Sequence, residues 1–264
     1  MTTRLALTLF LPTLLAAQAD ALQPSKTMKL FNGKNLDGWY TWSRDSGYND
    51  PKKVFTIENG AIHVSGEEWG GVATKQSFKN YHLIVEWRWG GKTLPPREKH
   101  TRDSGILVHG VGEDGQYNKT WLESIESQII EGGSGDLISV GGKGKPRITA
   151  KVREEGNQNV WDRQNGKPKT IDRGRINWWG RDPQWKDELN FRGPKDVEKP
   201  VGQWNRQEVI ADGDKLTYIL NGVVVLHAYD SSHTAGKIQL QSEGAEILFR
   251  KVEIRPITKR PKLD

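Results

Sequence analysis

An all-β sandwich or barrel is predicted by three features of this 264-residue chain. Short apolar segments alternate at a period of two and are separated by crisp turns. No helical periodicity runs beyond a turn or two. The 29 Gly and 12 Pro favour many turns over long helices. The hydrophobic fraction, 34%, is low for a core of this size, and mean hydropathy is -0.71. Eleven Trp offset part of that deficit, since each indole buries a large area and keeps an N–H for hydrogen bonding.

Taken in order, residues 1–21 read as a signal peptide. Arg4 supplies the charge, residues 5–15 the apolar run, and Ala17-Gln-Ala19 or Ala19-Asp-Ala21 the cleavage site. The run is too short to span a membrane. The expectation is an exported protein, periplasmic or secreted, cut near Ala19 or Ala21. The absence of Cys excludes an acylated lipobox and a disulfide framework. One domain is expected over residues 28–256, followed by a basic tail over 257–264. Leu30, Phe31, Leu36 and Trp39 anchor its opening segment. Asn59-Gly60 and Asn221-Gly222, each between alternating runs, predict type I′ hairpins, which need positive φ at both central residues. His63 falls on an exposed strand face. Gly132-Gly-Ser-Gly-Asp136 reads as a tight turn rather than a phosphate loop, because no Lys-Ser/Thr and no helix follow. Residues 141–200 form an extended, Trp-rich loop insertion, with one or two strands expected over Lys145 to Val152 before a long polar excursion. It carries Trp161, Trp178, Trp179 and Trp185 beside Arg175, Arg181 and Asp182. Loops of that length are functional or disordered, and four Trp argue against disorder.

Four segments share one device. Glu126 and Gln128 fall on one face of residues 125–131. Glu86 and Arg88 oppose Val85, Trp87 and Trp89. Leu107 and His109 oppose Ile106 and Val108. Gln239, Gln241 and Glu243 alternate with Ile238 and Leu240. Laid side by side, these strands would make a polar, carboxylate-bearing floor suited to a polyhydroxylated ligand; the competing reading is the wet face of a sandwich. Net charge is +6. The excess is spread among acids or gathered in the tail, which with the leader speaks against nucleic acid as a partner. No nucleophile elbow and no zinc motif is present. Two carboxylates would serve an ordinary glycosidase, and Asp and Glu oxygens would also suit a hard divalent cation.

Leu30-Phe-Asn-Gly-Lys-Asn-Leu-Asp-Gly-Trp39 resembles the opening signature of the DUF1080 family. The segments Tyr81 to Arg88, Ser104-Gly-Ile106, Glu126-Ser-Gln-Ile-Ile-Glu131, Gly202-Gln-Trp-Asn-Arg206, Asn221-Gly222, Leu240-Gln241 and Phe249-Arg250 follow in the family's order. Asp103 stands where that family usually has Asn, His109 where it has Arg, and Glu243 where it often has His. The resemblance implies a concanavalin A-like jelly roll and a 3-keto-glycoside lyase/hydratase, or 3-keto-disaccharide hydrolase, acting on an oligosaccharide or glycoside. A C3 ketone acidifies the C2 hydrogen; its removal gives an enolate that expels the oxygen at C1, and water can add back. Strand phase and resemblance together nominate Glu126 or His109 as base, Arg88 or a divalent cation as enolate stabiliser, and Glu86 or Glu131 as partner acid. Gln128, Gln241, Glu243, Asp103, Trp178 and Trp179 are the expected sugar contacts. A non-catalytic carbohydrate-binding module using the Trp-rich loop, and an ordinary glycosidase, are the alternatives.

Overall fold

The computed structural model describes residues 21–261. The expected leader therefore lies outside the described residues, apart from Ala21. Two antiparallel sheets pack face to face. The larger has eleven strands. Its main path runs Gln158–Trp161, Ile148–Glu155, Val223–Tyr229, Lys215–Leu220, Asn205–Asp212, Tyr81–Thr93, Ala245–Arg255, Ala61–Val64 and Phe55–Glu58. The smaller has eight, with the path Gly174–Ile176, Leu137–Val140, Glu123–Ile130, Asp103–Val111, Ala235–Ser242, Gly70–Thr74 and Trp39–Ser43. This is the β-sandwich that the alternating segments predict, in the jelly-roll form that the family resemblance implies. No helix is found among the described residues, and so none there is long and apolar enough to cross a membrane.

The hairpin signals act as expected. Asn59 and Gly60 take φ of 50° and 76°, and Asn221 and Gly222 take 49° and 87°; only Asn and Gly tolerate such values cheaply. Residues 141–200, expected as an extended loop with strand only over 145–152, are about one third β. Four strands, Ile148–Glu155, Gln158–Trp161, Lys167–Ile171 and Gly174–Ile176, extend both sheets. The first of these matches the expected strand; polar residues masked the other three, and Lys167–Ile171 is exposed along most of its length.

Register fixes two alternating rows across the smaller sheet. One row, Thr41, Val72, Leu240, Ile106, Ser127, Leu137 and Ile176, turns inward. Its apolar members sit in the core with Trp87, Trp89, Tyr218 and Phe249 of the facing sheet. The other row, Tyr40, Ala73, Gln239, Leu107, Glu126, Ile138 and Arg175, turns outward. A one-residue slip would exchange the rows and drive the charges into the apolar core, so core packing itself holds the outward set in place.

One polar bridge crosses the core. Gln207 Oε1 accepts Trp87 Nε1–H at 3.0 Å, and its Nε2 donates to Ser127 Oγ at 2.7 Å. Tyr218 donates to the Glu126 carbonyl at 3.2 Å. Both clamp the Glu123–Ile130 strand to the facing sheet. Gln207→Leu removes partners from two buried groups, and it is expected to cost about 1–3 kcal/mol for each group left unpaired. The check is a lowered urea midpoint at unchanged slope.

Candidate active site

Three adjacent strands of the smaller sheet build the site. Their outward positions carry Glu126 and Gln128 on the first strand, Asp103 and Gly105 on the second, and Gln241 on the third, with Glu243 just past its end. Gly105 lies between the two flanking side chains. A Cβ there would stand 2.1 Å from Glu126 Oε1 and 2.3 Å from Gln241 Oε1. Glycine is required at this position for space, not for backbone twist.

Arg175 and Arg97 flank the acids. Arg175 sits on the edge strand beside Ile138, the cross-strand neighbour of Glu126. Its Nη1 donates to Asp136 Oδ2 at 2.9 Å. Asp136 is fully buried, and it also takes Arg181 and the Trp178 backbone N–H. Arg97 Nη2 reaches Asp103 Oδ2 at 3.4 Å and Asp187 Oδ1 at 3.1 Å. Thr101 also donates to Asp187, so the loop over the site's end is tied down.

These surroundings separate the proton affinities of the carboxyls. Burial pushes Glu126 up to about 8, and the nearby Asp103 and Asp136 add to this against the pull of Arg175. Burial raises Asp103 to about 6, held back by Arg97 and Arg175. Glu243 is pushed well above the usual carboxylate range by burial, then by Asp103 and Glu126. Arg175 is desolvated, which alone would lower it, but Asp136, Asp103 and Glu126 outweigh this and raise it. Glu126 therefore keeps its proton to higher pH than Asp103 does. Gln241 Oε1 is buried without a partner, and the Gln241 side chain favours the ionised form of Glu126, offsetting part of its rise. Asp103 Oδ1 is likewise buried and unpartnered. Two carboxyls split in this way are suited to act as acid and base. Among the described residues, no group of three His, Cys, Asp or Glu side chains is arranged to hold a metal ion. The guanidinium groups of Arg97 and Arg175 stand where a cation would balance these acids.

The other nominated residues lie elsewhere. Glu86 and Arg88 do not share this floor. Their strand belongs to the larger sheet, and with Leu83, Val85, Trp87 and Trp89 inside, both point outward on the far side. Glu86 accepts Arg250 Nε–H at 2.7 Å, and Arg88 covers the Trp204 ring. His109 turns into the core. A register shift between Val108 and Val111 and a φ of 56° reverse its phase. Its ring packs 5.7 Å from Tyr81, Nδ1 donates to the His233 carbonyl, and burial lowers it to about 4, so it is neutral. Glu131 is bound to Arg102 at 2.6 Å and to the Asn190 N–H, as a buried loop anchor. Trp178 is 1% exposed and packs in the main core, and Trp179 donates to the Val224 carbonyl. Neither indole offers a face to the floor. Gln128 does face it, although its Oε1 is engaged with the Ile129 N–H.

Asp136 and Arg97 escaped the sequence reading, and Arg175 was noticed without a role. The signals available were the Gly-rich turn before Asp136 and the Gly174 turn before Arg175, where φ is 81°.

A jelly-roll sandwich with an acid- and arginine-lined floor is the class these features define. The chain belongs to the family of 3-keto-alpha-glucoside-1,2-lyase-like domains, whose model matches residues 26–255; membership places it among carbohydrate-active proteins. Its fold is similar to a protein from Parabacteroides distasonis ATCC 8503, provisionally named a glycosyl hydrolase. The TM-score is 0.51 at 20% identity, covering 87% of this chain and 93% of that one. A β-glucanase from Bacillus licheniformis aligns at TM-score 0.47 and 10% identity, covering 89% of this chain and 99% of that one. No curated protein matches the sequence.

The raised Glu126 carries a sign for stability. Folding takes up its proton, so its contribution is full below the unfolded value near 4.5 and is lost as pH rises towards 8. Glu126→Gln is expected to lessen the fall in stability between pH 5 and 8. Urea midpoints at both pH values check this; an unchanged fall would contradict it.

Proposed function

We propose that this chain is an exported enzyme that cleaves 3-keto-glycosides by removing the C2 proton and eliminating the oxygen at C1, with rehydration of the unsaturated product. The observation that carries the reading is the split of Asp103 and Glu126 beside Arg175. The family match supports the substrate class, and the leader pattern of residues 1–21 supports export.

In this reading, the ionised Asp103 takes the C2 proton. Arg175 lies where negative charge on the enolate oxygen would be stabilised, a role in which a preorganised donor counts for more than it would in water. Glu126, the later of the two to ionise as pH rises, gives its proton to the departing C1 oxygen, and Gln241 and Gln128 hold hydroxyls. Glu126 therefore acts as acid, where sequence phase had nominated it as base. The reason is the depth of its burial. Returning water needs the reverse roles, which Glu126 can take once ionised.

Positioned proton transfer contributes about 10²–10⁴-fold to rate. Glu126→Gln and Asp103→Asn are each expected to lose that much turnover of a 3-keto-glucoside, while Glu86→Gln keeps it. The unoxidised parent glucoside should be inert. Cleavage of the parent would favour an ordinary glycosidase, and binding without turnover a non-catalytic module.

A further inference from the structure

Arg175 has a second aspect. It is 30% exposed, and it reaches a surface cleft of ≈ 470 Å³ on the insertion side of the site. That size lies in the range of about 300–1,000 Å³ usual for small-molecule sites. The charged lining is one-sided. Arg173, Arg175 and Arg181 reach the cleft, and no Asp or Glu lines it, though Arg173 Nε is paired with Asp172 Oδ1 at 3.3 Å beside it. Beneath the surface, Asp136 Oδ2 serves both Arg175 and Arg181, one carboxylate for two guanidinium groups. Asp136 is also fully buried, so it is not itself presented to a ligand.

The rest of the lining suits hydroxyls. Asn157, Gln158, Asn159 and Asn177 bring four carboxamides to one place, each able to donate and accept. Backbone bonds hold the last two, since Asn177 N–H donates to the Asn159 carbonyl at 2.8 Å and the Asn177 carbonyl accepts Trp161 N–H at 2.8 Å. Asn177 Nδ2 donates to Gln158 Oε1 at 2.8 Å, which orients both amides. Trp185 closes one side, its ring under Arg181 at 4.1 Å and its Nε1–H held by the Glu131 carbonyl. Most of this lining belongs to the strands of the insertion or the turns joining them.

We propose that this cleft binds an anionic sugar residue, one carrying a uronic carboxylate or a sulfate ester, as the unit next to the reacting ring. The inference rests on the carbohydrate reading and deepens it. Arg175 joins the two sites, because the guanidinium that lines the cleft also acts on Asp103 and Glu126. The guanidinium excess selects the anion, and the carboxamides select the ring hydroxyls around it.

The test is equilibrium binding of three probes to the intact protein: methyl glucuronide, glucose 6-sulfate and methyl glucoside. At least one anionic probe is expected to bind about tenfold tighter than the neutral one, which is a modest free-energy gap. The gap should narrow with added salt. The double variant Arg173→Ala/Gln158→Ala should narrow the preference, since Arg175 and Arg181 remain; Arg173 is 78% exposed, so the fold does not depend on it. Tighter binding of the glucuronide identifies a carboxylate, and of the sulfate a sulfate ester. Equal binding of all three probes, or a preference unchanged in the double variant, overturns the proposal. None of these probes carries a 3-keto group, so a failure here is read separately from any failure of turnover.

Discussion

Buried carboxyls that cannot all be ionised together are the constraint on which this molecule's chemistry depends. Asp103, Glu126 and Glu243 act on one another across a poorly solvated floor, and two arginines are their counter-charges. Such a group must share protons unevenly, because like charges at low dielectric are costly. Arg97 lowers Asp103 most, and Arg175 lowers all three acids. Its own place is fixed by Asp136, which is held in turn by a backbone N–H and a second arginine. Without that anchor a long arginine side chain would be free to swing to solvent, and the acids would lose their ordering.

The sheet explains why these groups meet at all. Ile106, Leu240 and Leu137 are locked in the core, so their neighbours must face out. Gly105 then clears the space in which Glu126 and Gln241 approach each other. At the far end, the Asp187, Arg97 and Asp103 chain joins the 182–191 loop to the floor. The fold thus spends one residue without a side chain, and one long loop, on placing three carboxyls.

Much of this was legible in the sequence, and the failures have identifiable causes. Alternation gave the correct outward face for Glu126, Gln128, Gln241 and Glu86. It could not assign sheet membership, and Glu86 and Arg88 proved to lie across the molecule. Phase also fails at a bulge, and His109 was inverted by one. Trp178 and Trp179 were read as ligand contacts because a polar segment hides the core that they fill. Arg175 and Asp136 come from turn-flanked positions where two-residue periodicity has too little length to register. Polarity likewise concealed the last three strands of the insertion, of which Lys167–Ile171 is exposed along most of its length and carries no apolar alternation.

A titration of the Glu126 carboxyl by carbon-13 NMR, with Glu126→Gln used to assign its resonance, tests the central claim most directly. The account predicts a midpoint near 8, moved upward when Arg175→Gln removes the nearby cation. A midpoint close to that of an ordinary glutamate, indifferent to Arg175, would contradict it.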